Sequence, residues 1–211
     1  MGHYTRLAGS SSRRTKADVV AEFRRREILD AARARFAGQG VSETTVEHIA
    51  KAAHVAKGTV YLYYGSKDEI LRQLLVEDLD ELRDSALAAI QAKGNLESRL
   101  RGYIAVVLAF FDKRRDFIDH CQIELTPEVR RKVRTVLSQC YTDQVDAWHA
   151  VLERAVAEGT VVAASIDGAA SNIVSLARGL ALHRLAGWPA GPIDPIATRA
   201  GRLLWKGLAG R

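Results

Sequence analysis

Between Thr45 and Lys67 the chain sets hydroxyls, ammonium groups and bare backbone close together: Thr45, Lys57, Gly58, Thr59, Tyr61, Leu62, Tyr63 and Lys67. Their chemistry is that of holding a polyanion rather than of making or breaking bonds. The hydroxyls of Thr45, Tyr61 and Tyr63 can donate to phosphate oxygens, as can the Lys67 ammonium and the free N–H groups beside it at a helix start. Lys57 can reach the O6 and N7 acceptors of guanine, and Leu62 can meet a thymine methyl. The competing reading is that YLYY supplies core and rim aromatics of an ordinary helical domain.

Catalytic chemistry has no comparable concentration. His120, His149 and His183 are scattered and share no short metal spacing, and no Gly-rich phosphate loop, GxSxG elbow or HExxH occurs. Glu77/Asp78 and Asp80/Glu81 lie in a stretch already rich in charge and read as a solvated helix face. Cys121 and Cys140 have no metal spacing and make no disulfide framework. We therefore expect no enzyme, no metal and no cofactor. No apolar run nears the ~18 residues a bilayer span needs, so no membrane association and a cytoplasmic location are expected.

The elements that must position the polar cluster are two short helices. Thr44 stands three residues before Glu47, a capping-box spacing. Val46, Ile49, Ala50 and Ala53 then follow the rhythm of one buried helical face. Ala53-His54-Val55 reads as the turn, with Val55 plugging the angle, and a second helix is predicted from about Ala56 to Tyr63. Gly58 opens it with little bulk, and Thr59, Tyr61, Leu62 and Tyr63 crowd its outer side. Ser66 and Glu69 form a second capping box that starts another helix at Lys67. Helix, tight turn, helix is the geometry that lays a reading helix in a major groove.

Residues from about Arg25 to Leu75 resemble the DNA-binding head of TetR-family transcriptional regulators. Ile28, Leu29, Ala31, Ala32, Phe36 and Gly40 match the first part of that family's pattern. Thr44, Thr45, Val46, Ile49, Ala50, Ala53 and Val55 match the second. The third is met by Lys57-Gly58-Thr59-Val60-Tyr61, Tyr63, Tyr64, Ser66, Lys67, Glu69, Ile70 and Leu71. Two positions depart from it. Ala56 replaces a usual capping serine, a loss of about 1 kcal/mol. Tyr64 replaces a usual core phenylalanine, so its hydroxyl needs a partner or water.

Charge agrees with a polyanion partner. Residues 1–67 hold 12 Lys and Arg against 6 Asp and Glu, and the rest of the chain holds 19 of each, so the whole +6 lies at the N-terminal end. Residues 1–16 read as a basic, disordered arm, either inert or following DNA through Arg13, Arg14 and Lys16. A first helix is predicted over Ala17–Gly38, with Ile28, Ala32 and Phe36 on one face. Further helices are predicted from Lys67 to about Ala92, over Leu96–Phe111 behind Asn95, and over Phe117–Leu125. Others follow from Thr126 to near Gly159, from Asp167 to Gly187, and over Ile193–Leu208. The expected class is all-α, about nine helices, with residues 17–66 as the helix-turn-helix domain and 67–211 as the body.

For the body, the last two helices could simply pack on their neighbours or pair with those of a second copy. The resemblance implies the second, a homodimer on a double-stranded palindromic operator. It also implies a small-molecule effector in a body cavity, most simply releasing a repressor. Tyr103, Phe110, Phe111, Phe117, Cys121, Tyr141, Trp148, Arg178 and His183 are the residues to search for that cavity, each with ordinary core packing as its alternative. The other possible function is a helical small-molecule- or partner-binding protein whose head no longer reads DNA.

Overall fold

The computed structural model describes residues 15–118, 125–188 and 191–209. His120, Cys121 and nearly all of the expected arm lie outside the described residues. Within them the chain forms α1 (Lys16–Gln39), α2 (Val46–Ala52), α3 (Lys57–Tyr63), α4 (Lys67–Ile90), α5 (Leu96–Lys113), α6 (Pro127–Ala157), a 3-10 turn (Ala163–Ser165), α7 (Ala169–Leu185) and α8 (Ile193–Ala209). No strand occurs among the described residues, and the all-helical class is as expected. A helical turn at 115–118 overlaps the start of the short helix predicted over Phe117–Leu125, and Leu125 itself is not helical.

Local hydrogen bonding explains where the helices start. Thr15 accepts from the Asp18 N–H (3.2 Å) while Asp18 accepts from the Thr15 N–H (2.9 Å), so α1 begins inside the stretch expected to be a disordered arm. The capping box of α2 is Thr45 with His48, not Thr44 with Glu47. Thr44 is fully buried and its hydroxyl donates to the Gly40 carbonyl (2.7 Å), so the cap passes to the next threonine. Thr45 accepts from the His48 N–H at 3.2 Å, and Glu47 is left for another partner. Ser66 caps α4 by accepting from the Glu69 N–H (3.1 Å), but the Glu69 carboxylate accepts from Gly65 rather than closing the box. Asn95 and Thr126 cap α5 and α6 as expected, with Pro127 at the first position of α6. Asp167 does not start α7; Gly168 does, in the left-handed region at φ 67°.

Two apolar cores result. The smaller gathers Ile28, Ala32 and Phe36 from α1, Ile49 from α2, Val60 from α3 and the first turns of α4 through Ile70 and Leu74. The larger is centred on α5, whose Leu100, Tyr103, Ile104 and Leu108 are fully buried. α4 also packs along α5 and α6, and α5 lies against α7 and α8. At Gly201 the backbones of α8 and α5 come so close that a Cβ would stand 3.1 Å from the Arg101 nitrogen. α4 enters both cores, with Leu82, Ala86 and Ile90 in the larger. Its 24 residues extend about 36 Å at 1.5 Å per residue, a rigid link between the two.

Candidate DNA interface and effector pocket

α3 touches the rest of the molecule chiefly through Val60, which is fully buried. Its opposite side is solvent. Tyr61 is 47% and Leu62 78% exposed, Lys57 and Gly58 are exposed, and Thr59 and Tyr63 are half-buried at the rim. Gly58 has no internal reason to be glycine, because a Cβ there would meet nothing within 4 Å. A helical glycine costs about 1 kcal/mol relative to alanine, and here the missing methyl leaves bare backbone facing outwards. The α2–α3 turn is held by the Val55 N–H donating to the Ala50 carbonyl (3.0 Å), with His54 at φ 54°. Val55 is half-buried against the smaller core, as expected of the residue filling that angle.

The basic residues are already engaged. Lys57 pairs with the Glu47 carboxylate, and its ammonium lies 5.8 Å from the Tyr61 ring centre. Lys57 thereby holds the Glu47 carboxyl below its usual range, and Glu47 raises the Lys57 ammonium. The Lys67 ammonium donates to the Val41 carbonyl (2.6 Å) and reaches that of Ser42 (3.4 Å), fastening α4 to the loop before α2. Tyr63 lies under the Arg25 guanidinium (5.8 Å), at the edge where α1 meets α3. Tyr64 is buried and its hydroxyl donates to the Arg25 carbonyl at 3.4 Å. Burial pushes that phenol up to about 12, with the Glu77 charge adding. Ala56 occupies the N-cap of α3 with no side-chain hydrogen bond, as its residue type dictates.

The expected effector residues do not converge on one place. Phe110, Phe111 and Arg178 line a largely apolar cavity of about 240 Å³, walled also by Leu75 and Leu79 of α4 and Val133 and Leu137 of α6. Tyr141 stands behind it, with Arg178 5.4 Å over its ring. Tyr103 and Trp148 are instead fully buried core, edge to face at 5.5 Å, with the Tyr103 hydroxyl donating to Gln144 Oε1 (2.7 Å). Phe117 belongs to the smaller core, beneath the Arg33 guanidinium at 5.4 Å. His183 is exposed and packs on Trp188 (4.1 Å between rings), away from the cavity. A larger cleft of about 560 Å³ near Gln91, Asn95, Arg99 and Glu158 is lined about equally by polar and apolar surface and reached by none of these residues. A mainly apolar cavity with a few polar groups is the better home for a small molecule.

Two lining residues fall outside the sequence expectation. Asp78 is 5% exposed rather than part of a solvated face. It stands four residues after Leu74 and four before Leu82, so the helical period already puts it on the buried stripe. Arg114, 7% exposed, lies beside Asp78 and stacks on Phe110 at 4.2 Å. It stands seven residues after Val107 and four after Phe110, so the period of α5 runs on to it as well. Among the described residues no group of three metal-ligating side chains occurs, and no helix is long and apolar enough to cross a membrane.

Comparison with known proteins agrees with this geometry. Residues 28–74 match the model of the bacterial regulatory proteins of the tetR family. The chain is 32% identical over 142 residues to the HTH-type transcriptional repressor KstR2 of Rhodococcus jostii, covering 65% of this chain and 67% of that one. Its fold is that of FadR from Bacillus subtilis, solved in complex with stearoyl-CoA (TM-score 0.65, 21% identity, 87% of this chain and 98% of that chain). The ketosteroid regulator KstR2 of Mycobacterium tuberculosis is similar as well (TM-score 0.61, 22% identity, 97% and 99%). With a helix-turn-helix whose outer face is bare, and a repressor relative matched across two thirds of its length, the chain belongs to the TetR family of bacterial regulatory proteins.

Proposed function

We propose that the chain represses transcription by binding a palindromic operator as a homodimer and is released when a small apolar molecule enters the body. Residues 17–66 are the reading unit and 67–211 the effector-binding and dimerising unit. The observation that carries this is the outer face of α3, where Lys57, Gly58, Tyr61 and Leu62 stand together in solvent with open space over Gly58. Thr45, Thr59, Tyr63 and Lys67 would meet the phosphates, while Lys57 and Leu62 would reach base edges.

One such helix reads only a few base pairs, so two copies about 34 Å apart are needed for a selective site. The last two helices are the surface for that pairing. Leu182 and Leu203 are exposed on them, and Trp188 just after α7. The effector site is the cavity bounded by Phe110, Phe111 and Arg178. The names of the similar structures, a ketosteroid transcriptional regulator and the regulator FadR in complex with stearoyl-CoA, support a hydrophobic ligand for it. Such a role asks for no catalysis and puts the protein in the cytoplasm with its DNA.

The test is a mobility shift with fragments of the source genome and with random duplex at two salt concentrations. A small set of fragments should be retained far above random duplex, with binding falling steeply as salt rises. Indifference to duplex of any sequence would remove the reading and leave a helical ligand- or partner-binding protein.

A further inference from the structure

The cavity wall contains a guanidinium whose hydrogen bonding is unfinished. Arg114 is buried, yet its Nη1 has no hydrogen-bond partner among the described residues. Its Nη2 donates to Glu81. Its Nε is 2.8 Å from Asp78 Oδ1, but neither atom makes an aligned hydrogen bond. A charged donor left idle in a buried site loses energy that an incoming acceptor would restore. Around it the wall is mainly apolar, and the other lining charges are Asp78, already beside Arg114, and Arg178, a second cation. An apolar molecule ending in a carboxylate fits both features, because a carboxylate can take two parallel N–H groups of one guanidinium.

The partner of Arg114 leads to the other core. Asp78 Oδ2 lies 2.7 Å from Nη1 of Arg33 on α1. Arg33 in turn covers Phe117, which is packed inside the smaller core. One buried carboxylate therefore ties α1, α4 and the end of α5 together.

Resting on the effector reading above, we propose that Arg114 reads the effector: it takes the carboxylate of an apolar acid in the cavity and gives up its hold on Asp78. The charge of Asp78 must then be met by Arg33 alone. Occupancy of the cavity thus changes how firmly α1 is tied to α4, and through α1 the seating of α2 and α3. A ligand shifts such an equilibrium only by binding one arrangement better than the other, and the competition between its carboxylate and Asp78 supplies that difference.

The probes are octanoate and 1-octanol, which share a chain and differ in the charged end. Calorimetric titration of the full chain should give octanoate at least about ten-fold tighter binding than octanol, the scale of a hydrogen bond to a charged group. Arg114→Met should abolish that preference, and Arg114→Lys, which keeps charge without the fork, should restore only part of it. Hydrogen exchange of the α1 amides flanking Arg33 should change on adding octanoate. In Arg33→Met the preference for octanoate should remain while that exchange response disappears. Equal binding of the two probes, binding of neither, a preference surviving Arg114→Met, or an unaltered α1 response in Arg33→Met would each overturn the proposal. None of these readouts requires DNA, so a chain that fails to bind duplex would sink the repressor reading and leave the role of Arg114 to stand or fall on the two probes.

Discussion

Lys57 of α3 holds the carboxylate of Glu47 of α2 across the helix-turn-helix, on the same exposed side as Tyr61. The pair is fully solvated, so it adds little to stability. Its consequence is for binding. A lysine meant for DNA must leave Glu47 first, and the freed carboxylate then faces phosphate. Glu47→Gln should therefore raise affinity for duplex several-fold and steepen its salt dependence, as one more cation becomes available to displace counterions. Mobility shifts at two salt concentrations measure this; unchanged or weaker binding would show that Lys57 does not reach the DNA.

Tyr61 and Lys57 should separate by what they touch. Tyr61→Phe removes one exposed hydroxyl and should weaken binding about equally on every sequence. Lys57→Ala should relax selectivity at one base position if it reads guanine, where a good contact discriminates by about 1–3 kcal/mol. Selection of bound sequences from a random pool distinguishes the two. A uniform loss from Lys57→Ala would reassign it to phosphate.

Ala56 leaves the start of α3 without a side-chain cap, although its backbone (φ −69°, ψ 149°) already has the extended form that a capping serine uses. Ala56→Ser should stabilise the chain by about 1 kcal/mol, seen as a higher urea midpoint at unchanged slope. No shift in midpoint would mean that the serine hydroxyl fails to reach the α3 backbone.

Much of this fold is legible in the order of residues, and the departures share a cause. Periodic apolar positions such as Ile28, Ala32 and Phe36 identify α1 because burial follows a helical period that spacing alone reveals. The exposed side of α3 follows from the same logic. The cap of α2 lies one residue beyond Thr44, since both threonines satisfy the local pattern and only the distant Gly40 carbonyl decides between them. The cavity is hard to read for the same reason. Tyr103, Trp148 and Phe110 are alike in sequence, but which of them faces empty space depends on how α4, α5, α6 and α7 meet. Asp78 is hidden by its charged neighbours, although its place in the period of α4 announces it.

A second ion pair gives the body a pH dependence. Arg184 of α7 donates to both carboxylate oxygens of Asp112 near the end of α5, and its Nη1 donates to the Gly191 carbonyl (2.8 Å). Hydrogen bonding from Arg184, with Arg115 adding, holds the Asp112 carboxyl below its usual range. A carboxyl whose folded pKa is depressed contributes stability in full above the ordinary value of about 3.9 and loses it as pH falls through the folded value. Asp112→Asn should therefore cost about 2 kcal/mol near neutrality, and the gap from the parent chain should close below about pH 4. Urea unfolding across that range is the measurement; a gap of constant size would mean that the charge on Asp112 is not what holds α7.

The dimer reading can be separated from the DNA reading with two leucines. Leu203 on α8 is 68% exposed, a large apolar side chain that its own chain leaves mostly uncovered. Burying it against a second copy would recover about 1.5–3 kcal/mol per chain, and a charge placed there would be costly. Leu203→Glu should convert the protein to a monomer in sedimentation equilibrium. It should also lower operator affinity steeply, because each lone α3 then binds only half a site. Leu62→Glu, on the exposed face of α3, should leave the mass unchanged and abolish DNA binding alone. If Leu203→Glu sediments as the parent does, the pairing surface lies elsewhere. A monomeric parent chain that still selects a long palindromic site would end the two-copy reading altogether.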